Sequence, residues 1–408
     1  MKNSLLNKKM AAYTAPQEVM KAGLYPYFKT IESGQEPEIL YKGKKMLMFG
    51  SNSYLGLTNH PRIKQAAIKA IEKYGTGCAG SRFLNGTIDL HIVLEKKLAE
   101  FVNMEDALVF STGFLTNVGV ISSITGRHDY LIIDDSNHAS IIEGTRLSFS
   151  KVLKYKHNNM ESLESILKDL PNDKIKLIIT DGVFSMEGDI APLPNIVMLA
   201  EKYGASVMVD DAHGLGVLGK FGSGTVNHFN LDGRVELIMG TFSKSLATVG
   251  GFIAGSKEVI NFLKHNARSL IFSASLPPAS VASVIEAINV IYEEPERIQK
   301  LWENTNYAKK LLVEVGFDIG NSQTPIIPLY VRNDHLTFAF TQILLEKGVF
   351  VNPVISPAVK PEDSLIRFSI MATHEKNHID EAVYKCSMVA KKLGIIKKWT
   401  GKNFLSTT

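Results

Sequence analysis

The sequence predicts an α/β fold with a large, mainly parallel sheet domain and a smaller α+β C-terminal domain. Short apolar runs recur between residues 107 and 254, and they are continuous, as is typical of strands covered on both faces. Helical patterns separate several of these runs, and the character of the chain changes after about residue 295. The large sheet is expected to contain strands at 107–110, 129–133, 176–180, 206–210, 236–240 and 251–254.

The 408 residues, 45% of them hydrophobic, are enough for two or three domains. We expect an N-terminal arm at 1–55, a large domain at 56–290 and a small domain at 291–408. In the arm, one amphipathic helix should precede a hairpin around residues 42–44. Further helices are expected at 63–74, 90–102, 296–315, 336–347 and from 376, and small-domain strands at 325–331, 349–352 and 365–370.

Composition narrows the class of protein. The formal net charge is only +4, which argues against a nucleic-acid binder. Cys78 and Cys386 are the two cysteines; they lack metal-ligand spacing and predict a reducing, cytoplasmic location. No apolar run predicts a signal peptide or a membrane span. Two alternatives stay open for the N-terminal segment, which either packs on its own fold or touches a membrane surface transiently.

Lys244 ends the segment Thr-Phe-Ser-Lys (241–244), which follows a predicted strand and precedes a glycine pair. A lysine just past a buried strand end is partly desolvated, which lowers its pKa and favours the neutral amine that condenses with an aldehyde. The hydroxyls of Thr241 and Ser243 are candidates for binding phosphate. A surface lysine after a strand is the plainer interpretation of this motif.

The segment Asp-Asp-Ala-His (210–213) ends another predicted strand, where ligands bind in open α/β sheets. One aspartate there can keep a pyridine nitrogen protonated, and His213 can reach a ring oxygen. A helix cap or a metal site are the alternatives, and the following Gly-Leu-Gly favours a tight turn over a metal cluster.

Three weaker motifs complete the pattern. Residues 111–114 (Ser-Thr-Gly-Phe) open a helix whose free N–H groups suit phosphate, or simply cap it. His138 follows a strand and either stacks on a ring or is structural. Arg367 either clamps a carboxylate with two hydrogen bonds or forms a structural ion pair. An amine, an aspartate, a phosphate-binding turn and a histidine at strand ends of one sheet together predict a fold type I pyridoxal 5'-phosphate (PLP) site.

Residues 75–82, 137–140, 210–213 and 241–244 resemble the α-oxoamine synthases, PLP enzymes that condense an amino acid with an acyl-CoA and release CO2. The resemblance runs from about residue 15 to 390. Segments 48–57, 74–86 and 349–357 look most similar to the soluble bacterial members that use L-serine. L-Serine and a long-chain acyl-CoA such as palmitoyl-CoA are therefore the implied substrates. Cysteate, glycine or alanine in place of serine, and a non-catalytic PLP-fold protein, are the alternatives.

The resemblance also implies a role for individual residues. Lys244 would carry PLP as a Schiff base and act as the catalytic base, with His138 stacked on the ring. Asp210 would pair with the pyridine nitrogen and His213 with the phenolic oxygen. The other implied contacts are Gly113, Phe114 and Ser243 to phosphate, Ser185 to the ring, and Arg367, Ser81 and Asn52 to the amino acid.

The family's homodimer would place each site at the subunit interface, with residues 272–275, including Ser273, reaching the neighbour's phosphate. Ala274 stands where many relatives have Thr. Residues 352–357 lack an arginine that some serine-using relatives carry. The substrate carboxylate would then depend on Ser81, Asn52 or Arg367. Residues 397–402, rich in lysine, are a second candidate for contact with an inner-membrane surface.

Overall fold

The structure is a computed structural model that describes residues 4–396. It begins with an arm of two short helices, α1 (Leu5–Ala11) and α2 (Ala15–Lys21), followed by a hairpin of β1 (Glu38–Tyr41) and β2 (Lys44–Met48). The hairpin confirms the prediction, whereas the single amphipathic helix was wrong. Pro16 lies in the first turn of α2, where its missing N–H is tolerated, but it could not continue a helix from α1.

A seven-stranded sheet forms the centre of the molecule. Two helices, α3 (Pro61–Tyr74) and α4 (Asp89–Phe101), lead into it. Its strands are β3 (Asp106–Phe110), β4 (Tyr130–Asp134), β5 (Lys151–Tyr155), β6 (Lys176–Asp181), β7 (Ser206–Asp210), β8 (Leu237–Thr241) and β9 (Gly251–Gly255). Their order is β3-β9-β8-β7-β6-β4-β5, parallel except for β9. All six predicted strands are confirmed, but β5 was missed because this edge strand exposes most of its side chains and has no continuous apolar run.

Helices cover both faces of this sheet, as the apolar runs predicted. Ile132, Ile178 and Val207 pack into the core on one face, and their neighbours Ile133 and Leu177 pack on the other. Burying each such side chain contributes roughly 1.5–3 kcal/mol. The helices in this region are α5 (Gly113–Ile124), α6 (Ala139–Leu147), α7 (Met160–Lys168), α8 (Leu193–Tyr203), α9 (Thr225–His228), α10 (Lys257–Asn266), α11 (Arg268–Ile271) and α12 (Pro278–Glu293).

The C-terminal region contains α13 (Glu296–Glu314), β10 (Ile326–Tyr330), α14 (Asp334–Glu346), β11 (Val349–Phe350), β12 (Asn352–Val354), β13 (Leu365–Ser369) and α15 (Lys376–Lys392). The strand expected at 349–352 is two strands that enter different sheets. β11 pairs with β2 of the arm, whereas β12 pairs with β13, which also pairs with β10. The domain boundaries at residues 55 and 290 stay a prediction.

Within residues 4–396, no helix is both long and apolar enough to cross a membrane. The segment 397–402, which the sequence suggested for membrane contact, lies outside the described residues.

Candidate active site

A cavity of about 300 Å³ opens where β6, β7 and β8 end, and we call it the central cavity. This is the edge at which open α/β sheets bind ligands. It brings together the residues predicted for the amine, the ring and the phosphate, except Ser185 and Ser273. Its lining consists of Thr112, Gly113, Phe114, His138, Ser140, Asp181, Asp210, Ala212, His213, Met239, Thr241, Ser243, Lys244, Val249 and Gly250.

Lys244 follows β8 and is partly buried. Desolvation lowers the pKa of its amine to about 8, against the opposing pull of the Asp210 carboxylate. A larger fraction of this amine is therefore neutral near pH 7 than for an ordinary lysine. The predicted desolvation at a strand end is present in the structure.

The structure separates the two aspartates that the sequence places side by side. Asp210 lines the central cavity, and its Oδ1 accepts from the Ala212 N–H at 3.0 Å. Asp211 turns away, with its carboxylate 2.6 Å from both the backbone nitrogen and the hydroxyl of Thr225. Burial raises the pKa of Asp211 to about 7. Asp210 is thus the carboxylate that a ligand in the cavity can meet.

His213 is buried, and its Nδ1 lies 2.6 Å from the Tyr54 hydroxyl. That hydroxyl accepts from Arg367 Nη2 at 3.1 Å, so its own proton is left to donate to His213. The proton of the neutral ring must then be on Nε2. Burial, and then the positive charges of Lys244 and Arg367, hold the pKa of His213 well below its ordinary value.

His138 caps α6, and its ring is exposed towards the central cavity. Its Nδ1 lies 2.7 Å from the Ser140 hydroxyl and 3.2 Å from the Ser140 backbone nitrogen. The backbone N–H of His138 donates to Asp181 Oδ2 at 2.9 Å. Desolvation at the cavity wall lowers the pKa of His138, with the Asp210 charge acting in the opposite direction.

The amino end of α5 forms another part of the cavity wall. Thr112 caps this helix by accepting from the Leu115 N–H, and the helix begins at Gly113. The first N–H groups of a helix have no intrahelical acceptor and attract anions. A Cβ on Gly113 would lie 2.8 Å from Thr241 Oγ1, so only glycine allows this close approach. Thr241 Oγ1 is 3.0 Å from Ser243 Oγ, which places two hydroxyls beside the helix start.

Five predicted residues do not line the central cavity, and Arg367 is the last of them. Ser185 lines a neighbouring cavity of about 770 Å³, and Asn52 lines another of about 490 Å³ that shares Ser243 with the central cavity. Ser81 pairs with Ala274 in an isolated bridge, and its buried hydroxyl has no partner among the described residues. Ser273, beside that bridge, lines none of these three cavities.

Arg367 is buried behind Tyr54 with neutral acceptors around its guanidinium. Nε donates to Ser185 O at 2.6 Å, Nη1 to Asn52 Oδ1 and Ser369 Oγ at 2.8 Å each, and Nη2 to Tyr54. Four of the five N–H groups of Arg367 have acceptors among the described residues, so one N–H remains for a ligand. A carboxylate that binds Arg367 through two hydrogen bonds would therefore have to displace one of these partners. The plainer interpretation, a structural ion pair, does not hold, because the acceptors around the guanidinium are neutral.

Sequence reasoning missed four residues of this site. Tyr54 lies within the segment 48–57 and Asn117 three residues past the motif at 111–114, but nothing in the local pattern marks either side chain as a contact of the cavity residues. Asp181 could have been found, because it ends a buried strand and is the register partner of Asp210. Burial and the Asp210 charge raise the pKa of Asp181 well above its ordinary value. Ser140 ends the segment 137–140, in which the sequence singles out His138 alone.

These groups fit PLP. The Lys244 amine, with its lowered pKa, can bind the aldehyde, and the buried Asp210 carboxylate can face the pyridine nitrogen. The N–H groups at the start of α5 and the hydroxyls of Thr241 and Ser243 can hold the phosphate. The neutral imidazole of His213 offers a donor for the phenolic oxygen.

Comparisons with known proteins agree with this fit. The sequence pattern of the family "Aminotransferase class I and II" matches residues 44–385. A serine palmitoyltransferase of Sphingobacterium spiritivorum is 56% identical over 97% of this chain and 99% of its own length. An 8-amino-7-oxononanoate synthase of Thermoanaerobacter pseudethanolicus is 46% identical over 93% of this chain and 96% of its own. The structure of a serine palmitoyltransferase from S. paucimobilis, with a bound PLP–myriocin aldimine, superposes with a TM-score of 0.93, at 34% identity, over 97% of this chain and all of that one.

Proposed function

Because this chain belongs to the aminotransferase class I and II family, as a fold type I PLP enzyme of the α-oxoamine synthase kind, we propose that it condenses L-serine with a long-chain acyl-CoA. With palmitoyl-CoA the products are 3-ketosphinganine, CoA and CO2, which is the first step of sphingolipid synthesis. The observation that carries the proposal is the meeting of Lys244, Asp210, His213 and His138 in one cavity. The preference for serine rests on the 56% identity to a serine palmitoyltransferase.

PLP, when bound, supplies an electron sink for the negative charge that forms on the amino-acid Cα. Asp210 would keep the pyridine nitrogen protonated, and His213 would donate its Nε2 proton to the phenolic oxygen. The phosphate would be held by the N–H groups of Gly113 and Phe114 and by the hydroxyls of Thr241 and Ser243, because α5 begins at this edge of the cavity.

Lys244 performs the proton transfers. Its amine, with a pKa of about 8, takes the proton from the serine Cα, which a general base of matched pKa does efficiently at neutral pH. A bond then forms between Cα and the acyl carbonyl carbon while the carbon–sulfur bond breaks and CoA leaves. The carboxyl group departs as CO2, and a proton returns to Cα.

His138, Arg367 and Asn52 would hold the amino acid during these steps. His138 would stack on the ring and orient the substrate for loss of the Cα proton. The remaining N–H of Arg367 would bind the substrate carboxylate, beside Asn52. Ser185 would line the ring only if it approached from the neighbouring cavity.

The proposal includes a homodimer. Phe272 is 72% exposed, and the buried Ser81 hydroxyl lacks a partner among residues 4–396. These observations support sites completed across an interface, with Ser273 reaching the phosphate of the neighbouring subunit and Ser81 approaching the amino acid. Cytoplasmic location rests on the two unpaired cysteines, and transient membrane contact on the exposed Leu5, Leu6 and Met10 of α1.

A substrate panel tests the proposal. CoA release would be measured with L-serine, L-alanine, glycine and cysteate, each against acyl-CoA chains of several lengths. We expect turnover with serine and palmitoyl-CoA to have the highest kcat/KM, and mass spectrometry to identify 3-ketosphinganine. No turnover with serine, alongside turnover with another amino acid, would contradict the choice of substrate. No turnover with any of them would contradict the reaction.

A further inference from the structure

Asn117 lies one turn into α5 and is fully buried. Its amide nitrogen contacts two different residues of the central cavity, Asp210 Oδ2 at 2.6 Å and Ser140 Oγ at 2.8 Å. The Ser140 hydroxyl in turn lies 2.7 Å from Nδ1 of His138. One asparagine therefore joins the carboxylate predicted for the pyridine nitrogen to the imidazole predicted to stack on the ring.

The direction of these hydrogen bonds follows from their chemistry. An ionised Asp210 can only accept, so Asn117 Nδ2 donates to it and uses its second hydrogen for Ser140. The Ser140 hydroxyl proton then points to His138 Nδ1, together with the Ser140 backbone N–H. His138 is left with its proton on Nε2. Turning the amide over would bring Asn117 Oδ1 against the Asp210 carboxylate.

The other end of this amide has no such partner. Asn117 Oδ1 is buried and has no hydrogen-bond partner among the described residues. Buried polar atoms are nearly always paired, so an asparagine that served packing alone would be expected to satisfy its oxygen as well. Its nitrogen, by contrast, has both hydrogens committed to cavity residues.

We propose that Asn117 is a positioning residue that holds the Asp210 carboxylate and, through Ser140, fixes the His138 ring with its proton on Nε2. The part concerning Asp210 needs only PLP binding. The part concerning His138 rests on the proposed function, because that ring acts on the amino acid. Ser140 contributes only to the positioning of His138.

Three variants of the full-length holoenzyme separate these parts. Asn117→Leu is expected to raise the dissociation constant of PLP about 10-fold, as loss of one charge-assisted hydrogen bond implies, and also to raise the KM for the amino acid. Ser140→Ala should leave the PLP constant within about twofold and change only the KM. Asn304→Leu is the control, since Asn304 is another buried asparagine whose amide nitrogen donates to backbone oxygens in the C-terminal region. It should lower the melting temperature without changing the PLP constant.

A fourth variant replaces the amide that donates to Asp210 with a carboxylate. Asn117→Asp places a second carboxylate against Asp210, and the pair regains a donor when it takes up a proton at lower pH. The ratio of its PLP dissociation constant to that of the wild type should decrease as the pH is lowered from 9 to 6. For Asn117→Leu that ratio should stay flat. The titratable groups around Asp210 are Asp181 of β6, Asp211 of β7, His138 before α6, and His213 and Lys244 after β7 and β8.

Equal PLP constants for Asn117→Leu and Asn304→Leu, or parallel pH dependence for Asn117→Asp and Asn117→Leu, would overturn the assignment. PLP binding is read from absorbance without turnover, so this outcome is separate from a failure of the proposed reaction. A wild-type enzyme without activity on any substrate would leave the Asp210 measurement interpretable.

Discussion

Two histidine clusters lie at the edge of the large sheet where its parallel strands end, and they are held in opposite charge states. In the first, His157 lies between two carboxylates, with Nδ1 2.9 Å from Asp134 Oδ1 and Nε2 3.0 Å from Asp189 Oδ2. Although desolvation is the largest single influence and acts to lower it, the two carboxylates together raise the pKa of His157 to about 10. We call these three residues the His157 cluster.

The second cluster is that of the central cavity, where His138 and His213 have lowered pKa values. At Nδ1 both rings contact a hydroxyl group, and Lys244 adds a positive charge nearby. The comparison shows that two carboxylates can outweigh the desolvation of an imidazole. Carboxylates on both nitrogens make His157 a structural cation, whereas desolvation and the charge of Lys244 keep the pKa values of the cavity histidines low. The hydroxyl contacts at Nδ1 leave Nε2 of both cavity rings available to a ligand.

Removing Lys244 from the central cavity should have the largest effect on the contrast between the two histidine clusters. Lys244→Ala is expected to lower turnover by at least ~1,000-fold and to abolish the absorbance band of bound PLP near the visible edge. Loss of its charge should also raise the pKa of His213, because Lys244 lowers it in the wild type. CoA release and absorbance spectra provide the measurements.

Lys309→Ala is the matched control for this variant. Burial lowers the pKa of Lys309 to about 8 as well, but its amine donates to Ser322 O in the C-terminal region. Turnover and the band should persist in the control. A normal band in Lys244→Ala would contradict the assignment of the amine.

Breaking the charged cluster should affect stability more than catalysis. His157→Gln leaves Asp134, which is fully buried, and Asp189 without their cation. We expect the free energy of unfolding at pH 7 to fall by about 3 kcal/mol, measured by urea denaturation. His265→Gln, at an exposed imidazole that bonds a backbone oxygen, should change it by less than about 0.5 kcal/mol. If the two variants were equally stable, the cluster would not be a stabilising ion pair.

The same cluster predicts a pH dependence. The pKa of His157 is raised to about 10 from an ordinary 6.5, so the folded state binds this proton more tightly than the unfolded state. Its contribution to stability is fully present below about pH 6.5 and is lost as pH rises through about 10. The difference in unfolding free energy between wild type and His157→Gln should therefore shrink from pH 7 to pH 10. A difference that stays flat over this range would show that His157 is already neutral at pH 7 in the folded state.

A smaller effect is expected from the helix start of the central cavity. Gly113→Ala would push against Thr241, moving a proposed phosphate contact, and should raise the PLP dissociation constant about 10-fold. Gly126→Ala is the control, since its added Cβ would meet only Asp129 Oδ2 at 3.6 Å. Absorbance titration of the apoenzyme measures both constants. Equal constants would show that the close approach at Gly113 is not needed for binding.

Local pattern was enough to predict much of this molecule. The continuous apolar runs predicted the buried strands, and the polar residues after them predicted which loops line the cavity. It failed where the pattern was ambiguous or absent. β5 is an edge strand without an apolar run, and Pro16 divides what read as one helix. Tyr54 and Asn117 contact the cavity residues His213 and Asp210 through hydrogen bonds that no local pattern indicates.

The sequence by itself determined that Lys244, Asp210, His213 and His138 would meet, because parallel strands bring their carboxyl ends to one edge. Only the tertiary structure decided that Asp210 rather than Asp211 faces the cavity, since Thr225 binds the second carboxylate. It also decided which nitrogen of His213 carries the proton. Those choices depend on hydrogen bonds from residues as distant in the chain as Tyr54 and Arg367, and no local pattern records such contacts.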